Sequence, residues 1–464
     1  MTTAPSSDPP AQAASAATAP ALLDHVVVGH EASQAPASSA SSVAQPPSAR
    51  RRHRPTDTMD TTTSTDCTGA SGSQPAKKNT RGPCRQLKTA KVTRAFLETW
   101  EAKTNTFNVV DYGAVGNGLV DDTKAFLETW GAMCASSTQD TLTLVVPQGK
   151  RFLLNAVAFE GPCTASKVNF QIQGSIVAPN NIGAWTNKEM WIQFSKVQGL
   201  SVNGGGRIDG NGAVWWKALH FNKCHGFQLS RLAIFNSPKN HISICSCNGP
   251  RVFGLLIWAP KDSPNTDGID ISQSTRVTIQ SSHIATGDDC IAINSGSSYI
   301  KIRDIKCGPG HGISIGSLGQ HGEYSQVEEV QVSNCTFKGT TNGVRIKTWE
   351  GGSGYARKIT FEGITFEDTK NPIIIDQHYF AKPTSAMDIS KSVQVSDVTY
   401  RNINGTCADE KAITLACAGG GCTNIVMDNV TIKSDLPNKR SYAYCDNAHG
   451  TSSFSVPSVP CLSH

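Results

Sequence analysis

The hydrophobic pattern between residues 240 and 416 is short and alternating. Pentads of the form polar-x-apolar-x-apolar recur as NHISI at 240, DGIDI at 267, DCIAI at 289, HGISI at 311, NGVRI at 342, NPIII at 371 and KAITL at 411. Their starts are 27, 22, 22, 31, 29 and 40 residues apart. Between them stand further alternating runs, such as RVTIQ at 276–280, YIKIRDI at 299–305 and VEEVQV at 327–332. Alternation with period two marks half-buried strands, and no long amphipathic run separates them. Repeats of this length, with Gly, Asn and Ser between, predict a solenoid in which each coil adds a strand to several parallel sheets. The expected fold is all-β, a right-handed parallel β-helix. An antiparallel sandwich would need hairpin turns. It gives no reason for DG, DC, HG and NG to share one slot of the repeat.

One helix is expected. It starts at Asp121-Asp122-Thr123, with acidic residues at its head. Phe126 and Trp130 are four apart and share a face, so this helix caps one end of the fold. The hexapeptide Ala125–Trp130 repeats Ala95–Trp100, and the first copy lacks a helix start. Residues 1–90 are rich in Ala, Ser, Thr and Pro and have no lasting period. Residues 1–100 read as a disordered low-complexity extension, and 101–464 as one β-helix domain. The cluster Arg50, Arg51, Arg52 and Arg54 reads as a solvated tail, with a nuclear address or polyanion anchor as the alternative. No ordinary signal peptide is expected, because Asp24 and His25 break the apolar stretch Ala21–Val28.

Composition narrows the function classes. The chain has 464 residues, 38% hydrophobic and 17% charged, which excludes full disorder. The first 100 residues hold 11 Lys/Arg against 7 Asp/Glu, so most of the net +5 lies there. The body is near neutral and offers no strongly basic nucleic-acid face. No apolar run approaches the ~18 residues of a membrane span. Thirteen of the 15 Cys follow residue 100, which points to an oxidising compartment. Cys245 and Cys247 lack the second pair that a zinc site needs. Sequons begin at Asn334, Asn404 and Asn429.

The repeat register also locates a site. Asp267, Asp289, His311 and Asn342 occupy one slot on four successive coils, and neighbouring strands lie ~4.8 Å apart. Asp288 adds a carboxylate beside Asp289. With Val344 and Ile346 inward, Arg345 and Lys347 must both point outward. Such a row can be a ladder of turn caps or a calcium site. It can also be catalytic, since crowded carboxylates cannot all ionise and one then holds a proton. Glycoside hydrolysis needs that division between a protonated acid and a carboxylate. His311 and the two cations favour catalysis, and the cations suggest an anionic substrate.

Four motifs then become recognisable in order: NTDGID at 265–270, TGDDC at 286–290, CGPGHGISIGSLG at 307–319 and RIKTWEGGSG at 345–354. Together with 108–126 and 208–216 they resemble the polygalacturonases of glycoside hydrolase family 28, the plant members above all. The resemblance covers roughly 107–464. It implies a pectin-lyase-like β-helix that hydrolyses the α-1,4 bonds of polygalacturonate or pectin with inversion, in plant cell-wall remodelling. It further implies a secreted, cell-wall, monomeric enzyme with no cofactor, no metal, and no nucleic-acid or membrane partner.

The resemblance makes Asp288 the general acid and Asp267 and Asp289 the carboxylates that activate water. His311 orients the acid. Arg345 and Lys347 bind the galacturonate carboxylate, and Asn265 and Tyr379 contact the sugar. Thr266, Gly268, Gly310 and Gly312 serve turns and packing. The implied disulfides are Cys290–Cys307, Cys134–Cys163, Cys417–Cys422 and Cys445–Cys461. Relative to plant members, the segment after Trp216 is short, and Phe380 stands where they carry Cys. Two other classes compete with hydrolysis: an inactive carbohydrate-binding or structural β-helix, and a calcium-dependent pectate lyase.

Overall fold

A computed structural model describes residues 105–137, 140–181, 190–212, 217–379 and 391–463. The expectations for 1–100, for Cys67 and Cys84, for Trp215 and Trp216 and for Phe380 lie outside these residues. The described chain is an all-β parallel solenoid of about 11 turns. Its site-bearing sheet has 11 strands. They are β1 (Val157–Glu160), β2 (Met190–Ser195), β3 (Lys217–Asn222), β4 (Ile242–Cys245), β5 (Ile269–Ser272) and β6 (Ile291–Ile293), followed by β7 (Ile313–Leu318), β8 (Asn342–Thr348), β9 (Asn371–Asp376), β10 (Lys411–Ala416) and β11 (Tyr442–Asp446). Each pairs in parallel with the next. Parallel pairing removes the sandwich alternative. The remaining strands form a second parallel network of 21 strands across the rest of each coil.

The register explains why alternation specifies this fold. Ile242, Ile269, Ile291, Ile313, Val344, Ile373 and Ile413 are paired in sequence and stack inward, all buried. Ile244, Ile271, Ile293, Ile315, Ile346, Ile375 and Leu415 form a second inward column. Burying each such side chain stabilises the coil by about 1.5–3 kcal/mol. A slip of one residue would turn both columns to solvent, so the register is tightly held.

The expected helix is α1 (Thr123–Ala135). Phe126 and Trp130 are buried as expected. Their rings meet Phe152, Phe159, Phe170 and Phe194 at 5.2–6.4 Å and seal the first coils. The helix head differs from expectation. Asp122 makes no side-chain cap; its carboxylate accepts from the N–H groups of Val115 and Gly116 at 2.6 and 3.1 Å. Asp121 takes the Thr123 N–H instead, at 3.0 Å.

All four implied disulfides form. Cys224, Cys247, Cys335 and Cys407 are free and buried, and Cys245 is free and partly exposed.

Candidate active site

Asp267, Asp289, His311 and Asn342 each stand two residues before Ile269, Ile291, Ile313 and Val344, which are paired in register. The predicted row therefore exists, at the corner where the chain enters β5 to β8. The two carboxylate-bearing corners are clamped together. Buried Thr266 accepts the Gly287 N–H at 3.0 Å and donates to the Ser263 carbonyl at 3.0 Å. A Cβ on Gly287 would sit 2.1 Å from the Ser263 oxygen, so only glycine lets the TGDDC corner approach the NTDG corner this closely. At the next corner Gly312 has φ +85°, and a Cβ there would meet the Gly343 oxygen at 2.1 Å.

Asp289 is the electrostatic centre, with its side chain 1% exposed. Its Oδ1 accepts from Arg345 Nη2 at 2.8 Å and Ser314 Oγ at 2.7 Å, and its Oδ2 accepts from Lys347 Nζ at 2.8 Å. Ser314 in turn accepts from Arg345 Nε at 3.0 Å. The outward direction expected for Arg345 and Lys347 is correct, but both are already engaged by a carboxylate of the same site. Breaking a buried ion pair from one side leaves an uncompensated charge, which costs about 3–5 kcal/mol. Asp289→Ala is therefore expected to lower unfolding stability by that order in urea titrations. An unchanged midpoint would show that the cluster is not held by this carboxylate.

Asp288 and His311 form a second unit. Nδ1 of His311 lies 2.8 Å from Oδ1 of Asp288, which also accepts the Asp289 N–H at 2.9 Å. Burial works to raise the Asp288 carboxyl, but the hydrogen bond and charge of His311, with Lys347 and the Asp289 N–H, hold it below the usual range. Asp267 goes the other way. Burial, then the charges of Asp270, Asp289 and Asp288, push it up to about 9 against a weaker opposing pull from Lys347. The site thus separates its carboxyls, with Asp267 pushed toward the protonated form and Asp288 toward the ionised one. His241 lies beneath, fully buried and pushed down to about 4 by that burial. Its Nδ1 lies 3.0 Å from the Asp267 carbonyl, and its Nε2 lies 3.3 Å from both the Ser237 nitrogen and the Trp258 carbonyl.

Tyr379 closes one side. Its ring centroid lies 5.2 Å from Lys347 Nζ and 5.9 Å from the Arg345 guanidinium, and its N–H donates to the Thr348 carbonyl at 3.3 Å. Asn265 is exposed on the rim, in the left-handed region at φ 56°, which Asn tolerates better than most residues. Asn342 is buried in the row. Reasoning from the sequence missed Ser314 and Asp270. Both lie in the outward column of Arg345, one residue past the matched isoleucines. That offset was the available signal.

Asp288, Asp289 and His311 have ligand-type atoms within 4.8 Å of one another. The donor set does not suit a metal ion. Both Asp289 oxygens are occupied by cationic side chains, which already supply the positive charge.

A parallel β-helix that gathers three carboxylates, a histidine and two cations on one sheet has the groups that acid–base chemistry on a carbohydrate needs. The chain belongs to the glycosyl hydrolases family 28, whose family model matches residues 134–456. It is 46% identical to a probable polygalacturonase of Arabidopsis thaliana over 79% of this chain and 82% of that protein. It is 43% identical to a polygalacturonase of Malus domestica over 73% and 76%. The endo-xylogalacturonan hydrolase structure from Aspergillus tubingensis shares the fold, with TM-score 0.66 and 24% identity over 77% of this chain and 100% of that one.

Proposed function

We propose that this protein hydrolyses the α-1,4-galacturonosidic bonds of polygalacturonate, with inversion at the anomeric carbon. The observation that carries the reading is the His311–Asp288 pair, set beside an ion-paired Asp289 and an Asp267 pushed toward the protonated form. One proton shared between His311 Nδ1 and Asp288 is delivered through Asp288 to the glycosidic oxygen as the bond to the anomeric carbon breaks. A water attacks that carbon from the opposite face, and its proton passes to the carboxylate side. Asp267 and Asp289 act together on that water: the pair, pushed toward one shared proton by the crowding of its charges, orients the water and takes up the proton as a unit. Arg345, Lys347 and Tyr379 border the position of the uronate, and Asn265 meets sugar from the rim. Four disulfides support action outside the cell, in the wall that holds pectin. The three sequon asparagines are exposed, as glycosylation there requires.

The test is incubation with polygalacturonate in the presence and absence of a chelator. New reducing ends, insensitivity to chelator and an inverted product anomer in early NMR spectra are expected. Unsaturated uronide ends that require added calcium would mean a lyase, and no product would mean a binding protein.

A further inference from the structure

The strand network outside the site-bearing sheet has an outward face of its own, and charge is unevenly spread over it. Arg251, Thr278 and Lys301 are paired in register on the strands Arg251–Phe253, Thr278–Ala285 and Ser297–Cys307. The next residues, Val252, Ile279 and Ile302, are buried, so this column points outward. Arg276 and Tyr299 stand at the corner two residues earlier, past the buried Val277 and Ile300. Arg251, Arg276 and Lys301 are exposed, and Tyr299 keeps 55% of its surface in solvent. Lys301 lies two strands past Arg251, or about 10 Å along the coil axis.

No acid balances these cations. Residues 210–261 contain no Asp or Glu. The acids that follow, Asp262, Asp267, Asp270, Asp288 and Asp289, all lie in the site-bearing sheet or in the segments that lead into it. The next acid in the chain, Asp304, is taken by Arg303 at 3.0 Å. Arg251, Arg276 and Lys301 are thus left without an ion pair among the described residues. Asn248 Oδ1 accepts from Arg276 Nε at 3.0 Å, which steadies the guanidinium and leaves its Nη groups for a ligand. On later coils the same face neutralises itself, with Glu328 paired to Arg357 and Glu329 to Lys358 at 2.8 Å.

Uncompensated cations on successive coils, with an exposed aromatic ring among them, fit a polymer that carries a carboxylate on each sugar. Arg offers a carboxylate a flat fork, and Lys offers it a point charge. A tyrosine ring suits the apolar C–H face of a pyranose.

We propose that Arg251, Arg276, Lys301 and Tyr299 form a docking surface for an unesterified stretch of polygalacturonate, on a face of the coil separate from the cleft. The cations pair with its carboxylates, and Tyr299 packs on a sugar face. The proposal rests on the polygalacturonate reading and adds to it a hold on the polymer that takes no part in bond cleavage. Such a second contact keeps the protein on an anionic matrix while the cleft works on another stretch.

The test has two arms, with melting curves to verify folding. The first measures kcat/KM on a short soluble galacturonate oligomer for the wild type, the double variant Arg276→Glu with Lys301→Glu, and Tyr299→Ala. Both variants should match the wild type, because these residues stand outside the site-bearing sheet. The second measures retention on immobilised polygalacturonate, with Asp288→Asn added to every protein so that the matrix is not consumed. Reversing two exposed charges should weaken retention by about tenfold, and Tyr299→Ala by about two- to tenfold. The charge effect should shrink in high salt and on fully methyl-esterified pectin. Unchanged retention overturns the surface, as does an equal loss on immobilised DNA with no effect of Tyr299→Ala. A matching loss of kcat/KM on the short oligomer also overturns it, since the residues would then act through the cleft. If the wild type cleaves no oligomer, the hydrolase reading fails instead, and retention measured without Asp288→Asn still decides the surface.

Discussion

Asp288→Asn is expected to reduce kcat on polygalacturonate by about 10²–10⁴-fold, the usual contribution of general acid catalysis. Asn keeps the size of Asp and an oxygen that can accept from His311 Nδ1, so the 2.8 Å contact can persist. What it lacks is the ability to pass a proton to the leaving oxygen. Asp289 remains ion-paired to Arg345 and Lys347, so the corner keeps its shape. The loss should therefore fall on kcat with little change in melting temperature, because the interaction removed exists only in the transition state. A folded Asp288→Asn protein with near-normal kcat would move the acid role elsewhere, with Asp267 next in line as the carboxyl that holds a proton.

Asp267→Asn is expected to stabilise the fold while it impairs catalysis. In the unfolded chain this carboxyl ionises around its ordinary value of 3.8, whereas in the folded protein it holds its proton to about 9. Between those values the native state binds more protons than the unfolded state. Stability therefore falls as pH rises through this window and levels off above it. At neutral pH the penalty is on the order of a few kcal/mol. Asn imitates the neutral acid at every pH and removes the penalty, and with it the slope. Urea titrations across pH 4–9 should show a flatter, higher stability profile for the variant. An unchanged slope, or lower stability at pH 7, would mean that Asp267 is not held protonated by burial and by Asp270, Asp289 and Asp288.

The two variants together separate the roles of neighbouring carboxyls. Asp288 faces the cleft in contact with His311, and its removal costs rate. Asp267 is crowded among like charges and takes up a proton on folding, and Asn removes the cost of that uptake. Active sites commonly carry such locally unfavourable electrostatics, supported by a stable scaffold. Here the scaffold is the pair of inward aliphatic columns, which run unbroken beneath the cluster.

The amino-acid sequence by itself determined the coil. Strand alternation with Ile and Val at fixed offsets is a local signal, and burying both columns at once admits a single register. The row Asp267, Asp289, His311 and Asn342 followed from the same offsets, as did the outward direction of Arg345 and Lys347. Only the tertiary structure decided which of these groups bind one another. Asp289 lies 56 and 58 residues from the two cations that hold it, and it sits at a corner where in-out parity does not set direction. Its bonds to Arg345, Ser314 and Lys347 exist because three successive coils bring those atoms to one point. Protonation was equally hidden, since Asp267 and Asp288 are both plain aspartates in the sequence. One is pushed up by burial and by three carboxylates, and the other is pulled down by a histidine one coil away. Periodicity encodes what repeats along the chain, whereas charge state depends on distance and solvent exclusion, which arise only when the coils stack.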